Sequence, residues 1–181
     1  MRKVLVLALL LLAFLLLSSP YTASKMGSVA SSSSLIQNMA HSRLDYVALA
    51  RKAALDEGID PDIFVRQIYQ ESGFDPNAVG LAGEIGIAQF LPSTAASLGI
   101  DPHDPAASLK AAAHLMASSV RAYGGDYAKA LAEYSCGGGC VDQAVQQCGP
   151  WWLSCVPEVT QAYIHIILGT TFAHDLHEFD G

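Results

Sequence analysis

The stretch Q-I-Y-Q-E-S-G-F-D-P, residues 67–76, places an acid at the end of an apolar helical pattern. Phe64, Ile68 and Glu71 share one helix face, and Gly73 is a typical left-handed stop after the last turn. A carboxyl group there loses hydration and lies at the negative end of the helix dipole, and both effects raise its pKa. Such a group stays protonated near neutral pH and can protonate a leaving group. The alternative is that Glu71 turns to solvent at a fraying helix end, and periodicity alone favours this alternative.

N-cap residues, prolines and glycines predict a chain of helices that must position this acid. Ser42, with Asp45 three residues later as in a capping box, predicts a first helix that ends at Gly58. No segment alternates with the period of two that is typical of strands, so the sequence predicts an all-α domain. The further helices are predicted over residues 61–72, 92–98, 105–123, 127–134 and 157–167, the first, third and fourth of these with aspartate N-caps.

The N-terminal residues predict export. Arg2 and Lys3 precede an unbroken apolar run of 14 residues, 4–17, which is typical of a signal peptide. An uncleaved anchor is the alternative and would be the only route of membrane attachment, although a bilayer span needs about 20 residues. The predicted organisation is a signal peptide over 1–24 (cleaved as late as residue 30), a Ser-rich flexible linker over 25–41, the domain over 42–168 and a C-terminal tail over 169–181.

The charge of the chain excludes one class of partner. The formal net charge of −7 falls to −10 without residues 1–30, because these contain three basic residues and no acidic ones. Nucleic acid phosphates demand a basic face, so we expect no nucleic acid partner.

The four cysteines, Cys136, Cys140, Cys148 and Cys155, fall within one glycine-rich window of 20 residues. Their spacing does not match the paired C-x-x-C pattern of a zinc site, and we predict no metal. In an exported chain they favour two local disulfides that hold a Cys-rich loop, with the connectivity open among three options. Free buried thiols are the alternative.

Five sequence blocks occur together over residues 42–168. They are E-S-G-F-D-P-N-A from Glu71, G-I-A-Q-F-L-P-S-T-A from Gly86, Y-G-G-D from Tyr123, A-L-A-E-Y-S from Ala130, and Glu158 followed by Tyr163. In this order and at this spacing, they resemble the soluble lytic transglycosylase (SLT) family. The resemblance implies a lysozyme-like domain of the goose type with a substrate groove.

The resemblance also implies a reaction. The family cleaves the MurNAc–GlcNAc β-1,4 bond of peptidoglycan glycan strands without a cofactor, and Glu71 matches its single catalytic acid and base. The substrate's N-acetyl group assists departure of the leaving sugar, and the muramyl 6-hydroxyl then closes a 1,6-anhydro ring. A single carboxylate suffices, whereas ordinary glycosidases use a pair. Asp75 is nearby, but we expect it to cap its own loop.

Several further residues are expected to bind substrate. Gln89 matches a groove glutamine, with a buried amide that ties down the loop as the alternative. Tyr134 matches a tyrosine that hydrogen-bonds near the catalytic carboxyl, with a core role as the alternative. Trp151 and Trp152 have no family counterpart, but their indoles suit stacking on sugar rings, with core filling as the alternative. The blocks add three more expected binding residues: Phe90, Glu158 and Tyr163.

The chain also departs from the family pattern. Many members have a serine, whose hydroxyl contacts the N-acetyl group, where this chain has Gly80. Two rival functions therefore stay open. One is a muramidase in which water attacks; a second placed carboxylate would favour it, and the sequence offers no good candidate. The other is an inactive wall-binding or secretion-apparatus component.

Overall fold

The computed structural model describes residues 32–169, with side chains from residue 42 onward. Its elements are α1 (Ser32–Glu57), α2 (Pro61–Ser72), α3 (Pro92–Leu98), α4 (Pro105–Ala122), α5 (Tyr127–Cys136), α6 (Gly138–Cys148), a 3-10 helix (Gly149–Cys155) and α7 (Glu158–Leu168). Residues 37–169 belong to one compact unit, and the described part of the preceding unit, residues 32–36, is the start of α1. The all-helical prediction is confirmed over the described residues, where only isolated β-bridges occur.

Local capping chemistry sets the ends of α2. The Asp60 carboxylate accepts hydrogen bonds from the backbone N–H groups of Asp62 and Ile63, and Pro61 occupies the first helical position. Gly73 ends the helix in the left-handed conformation, with φ at 60°. The predicted aspartate caps of α4 and α5 are present as well. These predictions are confirmed. Each of them depends only on residues adjacent in sequence, which is why the sequence alone could support it.

The predicted start of α1 is wrong. The helix begins at Ser32, ten residues before the expected N-cap Ser42, so residues 32–41 of the predicted flexible linker are helical. No glycine or proline interrupts residues 32–57, and serine lowers helix propensity only modestly, so its abundance does not stop a helix. The predicted signal peptide and tail (apart from residue 169) lie outside the described residues. Within residues 32–169, no helix has the length and apolarity of a membrane span.

The predicted Cys-rich loop is also helical, as α6 and the 3-10 helix. Between Gly139 and Gly149 the chain contains no glycine or proline, and Val141 and Ala144 are buried at helical spacing. Two local disulfides, Cys136–Cys140 and Cys148–Cys155, confirm the prediction and settle the connectivity that the sequence left open.

The core collects buried apolar side chains from all seven α-helices. Its largest fully buried apolar side chains include Phe64 and Ile68 from α2, Leu109 and Met116 from α4, Leu131 from α5 and Ile167 from α7. The segment between α2 and α3 folds back on itself through two isolated antiparallel bridges, Val79–Ile85 and Ile85–Phe90. This segment therefore lies as a short folded loop next to the end of α2, where Glu71 is located.

Candidate active site

Glu71 lies in the last turn of α2 and lines a cavity of about 760 Å³. Phe64 and Ile68, on the preceding turns of the same face, are fully buried, and Glu71 itself is partly buried. The alternative of a fully exposed acid at a fraying end is therefore excluded. Among the described residues, no Lys, Arg or His forms an ion pair with Glu71.

Burial of the Glu71 carboxyl raises its pKa from 4.5 to about 7. Two smaller effects oppose each other: the hydrogen bond from Tyr163 lowers the pKa, and the negative charge of Glu84 raises it. At neutral pH a large share of the molecules thus carry the proton, which suits a group that must first donate a proton and then accept one.

Tyr163, on α7, donates its hydroxyl hydrogen to Glu71 Oε1. Burial and the Glu71 charge raise the pKa of this phenol well above its usual value, so it remains a donor. One oxygen of Glu71 accepts this hydrogen bond, so the other is the one that can carry a proton. The two residues are 92 positions apart in the chain.

Tyr134 lines the same cavity, but its hydroxyl donates to the backbone carbonyl of Ala88 at 2.9 Å. Its ring packs against Phe90, which also lines the cavity, with ring centroids 6.3 Å apart. The resemblance suggested that Tyr134 hydrogen-bonds near the catalytic carboxyl; the hydroxyl that bonds to the Glu71 carboxyl itself is that of Tyr163. Tyr134 anchors the folded loop to α5.

Gln89 ties down the loop, and its role in binding substrate stays a prediction. Its backbone has a positive φ of 51°, and its Nε2 donates to the carbonyls of Gly86 (2.8 Å) and Ala78 (3.3 Å), so the amide ties down the loop. The side chain also lines the cavity. Since both amide hydrogens are engaged, the group that Gln89 offers to a ligand is its carbonyl oxygen.

Glu84 is a second cavity acid that the sequence-based prediction missed. Its backbone carbonyl accepts from the Gly80 N–H at 2.9 Å, and its Oε2 accepts from the Ala82 N–H at 3.0 Å. The sequence offered no good candidate for a second placed carboxylate, and Glu84 was not considered for that position. The sequence signal that could have found Glu84 is its position four residues after Gly80, the glycine that stands where many family members have a serine.

Gln67 was missed as well. It is fully buried on α2, one turn before Glu71. Its amide makes no hydrogen bond of good geometry to any described residue, but it interacts with the Tyr163 hydroxyl and opposes the rise in that phenol's pKa. Its i, i+4 spacing from Glu71 was the signal that could have found it.

Trp151 and Trp152 line a different cavity, of about 510 Å³, with Asp126 and Gln161. Trp151 is 79% exposed, whereas Trp152 packs against the core beneath the Lys129 ammonium, 5.8 Å from the ring centroid. The structure does not bring the tryptophans to Glu71, and a role for them in binding sugar stays a prediction.

Three other predicted positions can be placed. Glu158 is exposed in the first turn of α7, outside the lining of the Glu71 cavity. The Asp75 carboxylate accepts from the Asn77 N–H at 2.9 Å and caps its loop, as predicted. Cys136 lines the Glu71 cavity. Within residues 32–169, no cluster of three His, Cys, Asp or Glu side chains could hold a metal ion.

Both the sequence and the fold of this chain are similar to known proteins. The family model of the transglycosylase SLT domain matches residues 48–149. The peptidoglycan transglycosylase gp16 of Escherichia phage T7 is 34% identical over 103 residues, which cover 52% of this chain and 8% of the phage protein.

A solved structure confirms the predicted lysozyme-like SLT fold. It is an inactive mutant of the lytic transglycosylase Slt from Pseudomonas aeruginosa, and it superposes with a TM-score of 0.62 at 20% identity. The match covers 72% of this chain and 24% of that chain. This chain thus spans a small part of either protein.

Proposed function

The chain belongs to the transglycosylase SLT domain family, and we propose that it is a peptidoglycan lytic transglycosylase that cleaves the MurNAc–GlcNAc β-1,4 bond. The observation that carries this proposal is Glu71, a partly buried acid with a pKa of about 7 in an open cavity. The proteins to which this chain is similar are named peptidoglycan transglycosylase and lytic transglycosylase, and these names support the same reaction class.

In the first step, the protonated Glu71 donates its proton to the glycosidic oxygen. The bond from that oxygen to C1 of the muramyl residue breaks, and the acetamido carbonyl oxygen of the same residue forms a bond to C1. The product is a cyclic oxazolinium ion, and the leaving chain departs as a neutral alcohol. The Tyr163 hydroxyl stabilises the Glu71 carboxylate that this step creates.

In the second step, the Glu71 carboxylate takes the proton of the muramyl 6-hydroxyl. The oxygen O6 attacks C1, the bond from C1 to the acetamido oxygen breaks, and a 1,6-anhydro ring closes. Glu71 is protonated again and no water is consumed. One carboxyl group serves both steps because its pKa of about 7 lets it donate and accept a proton near neutral pH.

We also propose that the protein acts outside the cytoplasmic membrane, because its substrate strands lie there. The basic residues and apolar run at positions 2–17 support export. Gln89, Phe90, Tyr134 and Tyr163 line the cavity and are the residues we propose to contact the glycan strand there.

Replacement of Glu71 by glutamine tests the proposal, because the amide keeps the shape of the side chain and cannot supply the proton. We expect cleavage of purified peptidoglycan to fall about 1,000-fold or more. Asp75→Asn is the matched control, since it makes the same change from acid to amide at an exposed loop residue and should keep full activity. Undiminished cleavage by Glu71→Gln would exclude the proposed acid.

Mass spectrometry of the products tests the second step. The anhydro product is lighter than the hydrolysed product by one water. One observation, Glu84 in the same cavity, favours the muramidase alternative, because a second carboxylate is what an attacking water needs. A product with a free reducing end would establish that alternative, whereas an anhydro product would exclude it.

A further inference from the structure

Two acceptor oxygens converge on Gly80 in the wall of the Glu71 cavity. A Cβ atom added to Gly80 would lie 2.2 Å from Glu84 Oε2 and 2.8 Å from Gln89 Oε1, so these two oxygens lie within about 5 Å of each other. Both side chains line the cavity that holds Glu71. Any larger residue at position 80 would displace this pair.

The loop fixes both oxygens in place. The Ala82 N–H holds the Glu84 carboxylate, and the Gly80 N–H bonds to the Glu84 carbonyl, which closes the turn. The two amide hydrogens of Gln89 are used by loop carbonyls, so its Oε1 is the part that faces Gly80. The pair therefore offers acceptors only, one of them negatively charged, and selects a hydrogen-bond donor that gains positive charge.

The acetamido group of the muramyl residue is such a donor. In the first step its carbonyl oxygen bonds to C1, and positive charge spreads onto its nitrogen while the N–H bond stays intact. Glu71 cannot stabilise that charge at the start of the step, because one of its oxygens accepts from Tyr163 and the other carries the proton. A second, ionised carboxylate in the same cavity is suited to do so.

We propose that Glu84 is a further catalytic residue, whose carboxylate accepts a hydrogen bond from the acetamido N–H and stabilises the oxazolinium ion. Gln89 Oε1 is the neutral partner acceptor beside it. Glu84 takes no proton and forms no covalent bond. This inference rests on the proposed function, and it explains how the chain dispenses with a hydroxyl at position 80.

The charge of Glu84 has a second effect on the reaction. It raises the pKa of Glu71, which favours the protonated form that the first step requires. Glu84→Gln should therefore move the alkaline limb of the pH profile of kcat/KM to lower pH.

Three variants of the full chain test the proposal. Glu84→Gln keeps an acceptor and removes the charge, whereas Glu84→Ala removes both, so we expect kcat to fall about 10-fold and about 100-fold respectively. Asp142→Asn, on the exposed face of α6, is the control for loss of one charge and should match the wild type. Thermal unfolding of each variant shows that it is folded.

Binding of a stable mimic separates this role from a structural one. The probe is the thiazoline derivative of N-acetylglucosamine, which carries the fused ring of the oxazolinium ion. Binding is measured at mildly acidic pH, because only the protonated form of the thiazoline carries the N–H and the positive charge of that ion. We expect its dissociation constant, measured by calorimetry, to rise about 10-fold in Glu84→Gln and about 100-fold in Glu84→Ala. Adding Gly80→Ser to Glu84→Ala should restore part of both losses, because the hydroxyl then occupies the vacated space and accepts the same N–H.

The outcomes distinguish this inference from the proposed function. If the wild type forms anhydro product and binds the thiazoline, the proposed function stands, and unchanged affinity in both Glu84 variants would overturn the role of Glu84 alone. If the wild type forms a reducing-end product, the proposed function fails. A switch from that product to the anhydro product in Glu84→Gln would then assign Glu84 to water activation and overturn the inference as well.

Discussion

The acidic residues at the two cavities, Glu71 and Asp126, have different surroundings. Glu71 is partly buried, and among the described residues its side-chain hydrogen-bond partner is a neutral phenol, that of Tyr163. Asp126, at the tryptophan cavity, caps α5 and lies 3.5 Å from the Lys129 ammonium. Asp126 thus has a cationic partner and a capping role, whereas burial without a cationic partner among the described residues raises the pKa of Glu71 to about 7. The comparison indicates that an acid suited to proton transfer needs burial together with the absence of a nearby cation, which would favour its charged form.

Each cavity also has its own disulfide. Cys136 of the Cys136–Cys140 pair lines the Glu71 cavity, and the Cys148–Cys155 pair spans the 3-10 helix that carries both tryptophans. The walls are thus held by covalent links where glycines make the local backbone most adaptable. The two regions offer matched tests, in which the same type of change is made at each cavity.

The largest effect that we expect on stability comes from Glu71, the partly buried acid without a cationic partner among the described residues. Glu71 has a pKa of about 7 in the folded protein and 4.5 as its reference value, so folding favours its protonated form. This contribution is fully present below about pH 4.5 and is lost as the pH rises through about 7. Relative to Glu71→Gln, the wild type should lose up to about 3 kcal/mol of unfolding free energy between these values.

Urea unfolding of both proteins at about pH 4 and about pH 8 measures this difference. Asp75→Asn is the control and should run parallel to the wild type. A constant difference between the wild type and Glu71→Gln across this range would show that Glu71 is not desolvated, and the contrast with Asp126 would disappear.

Removal of either disulfide is expected to have the next largest effect. Replacing both cysteines of a pair by serine should lower the unfolding free energy by about 2 kcal/mol, because each link closes a short loop. The effects on activity should differ. The Cys136→Ser/Cys140→Ser variant should lose kcat because its bridge borders Glu71, whereas the Cys148→Ser/Cys155→Ser variant should keep it. Equal losses of kcat would mean that the two cavities act as one site.

The Tyr163 hydroxyl should contribute less, and in a specific direction. Its hydrogen bond lowers the pKa of Glu71, so Tyr163→Phe should raise that pKa further and move the alkaline limb of the kcat/KM profile to higher pH. The weaker acid should also reduce kcat/KM by about 10-fold. This shift is opposite in sign to the one expected for Glu84→Gln. If both variants moved the limb in the same direction, a general disturbance of the cavity would be the cause.

The sequence predicted the features that depend on neighbouring residues. The caps of α2, α4 and α5, the stop at Gly73 and the apolar face that carries Glu71 all follow from local spacing. The contact between Glu71 and Tyr163 joins positions 92 apart, and no period in the sequence encodes it. The resemblance included both residues among the expected site residues but placed the hydrogen bond near the carboxyl at Tyr134.

The place of Glu84 in the cavity could not be predicted from the sequence for a different reason. Its side chain is aimed by a turn that hydrogen bonds between residues 80, 82 and 84 close, and an acid between glycines is otherwise typical of a solvated loop. The helical Cys-rich segment was missed because glycine composition was given more weight than the nine uninterrupted residues between Gly139 and Gly149. Glu84 therefore required tertiary context, whereas the helical segment could have been predicted from its local sequence.

The smallest effect on stability is expected at the second cavity. Trp151 is 79% exposed, so Trp151→Ala should change the unfolding free energy by less than about 0.5 kcal/mol. Its indole face is free to stack on a sugar ring, and we expect a higher KM for polymeric peptidoglycan with an unchanged kcat, because the residue lies outside the Glu71 cavity. Trp152→Phe, beneath Lys129, is the companion variant and should affect folding more than binding. A fall in kcat for Trp151→Ala would place the indole at the point of cleavage, and the separation between a cavity for chemistry and a cavity for holding the strand would then fail.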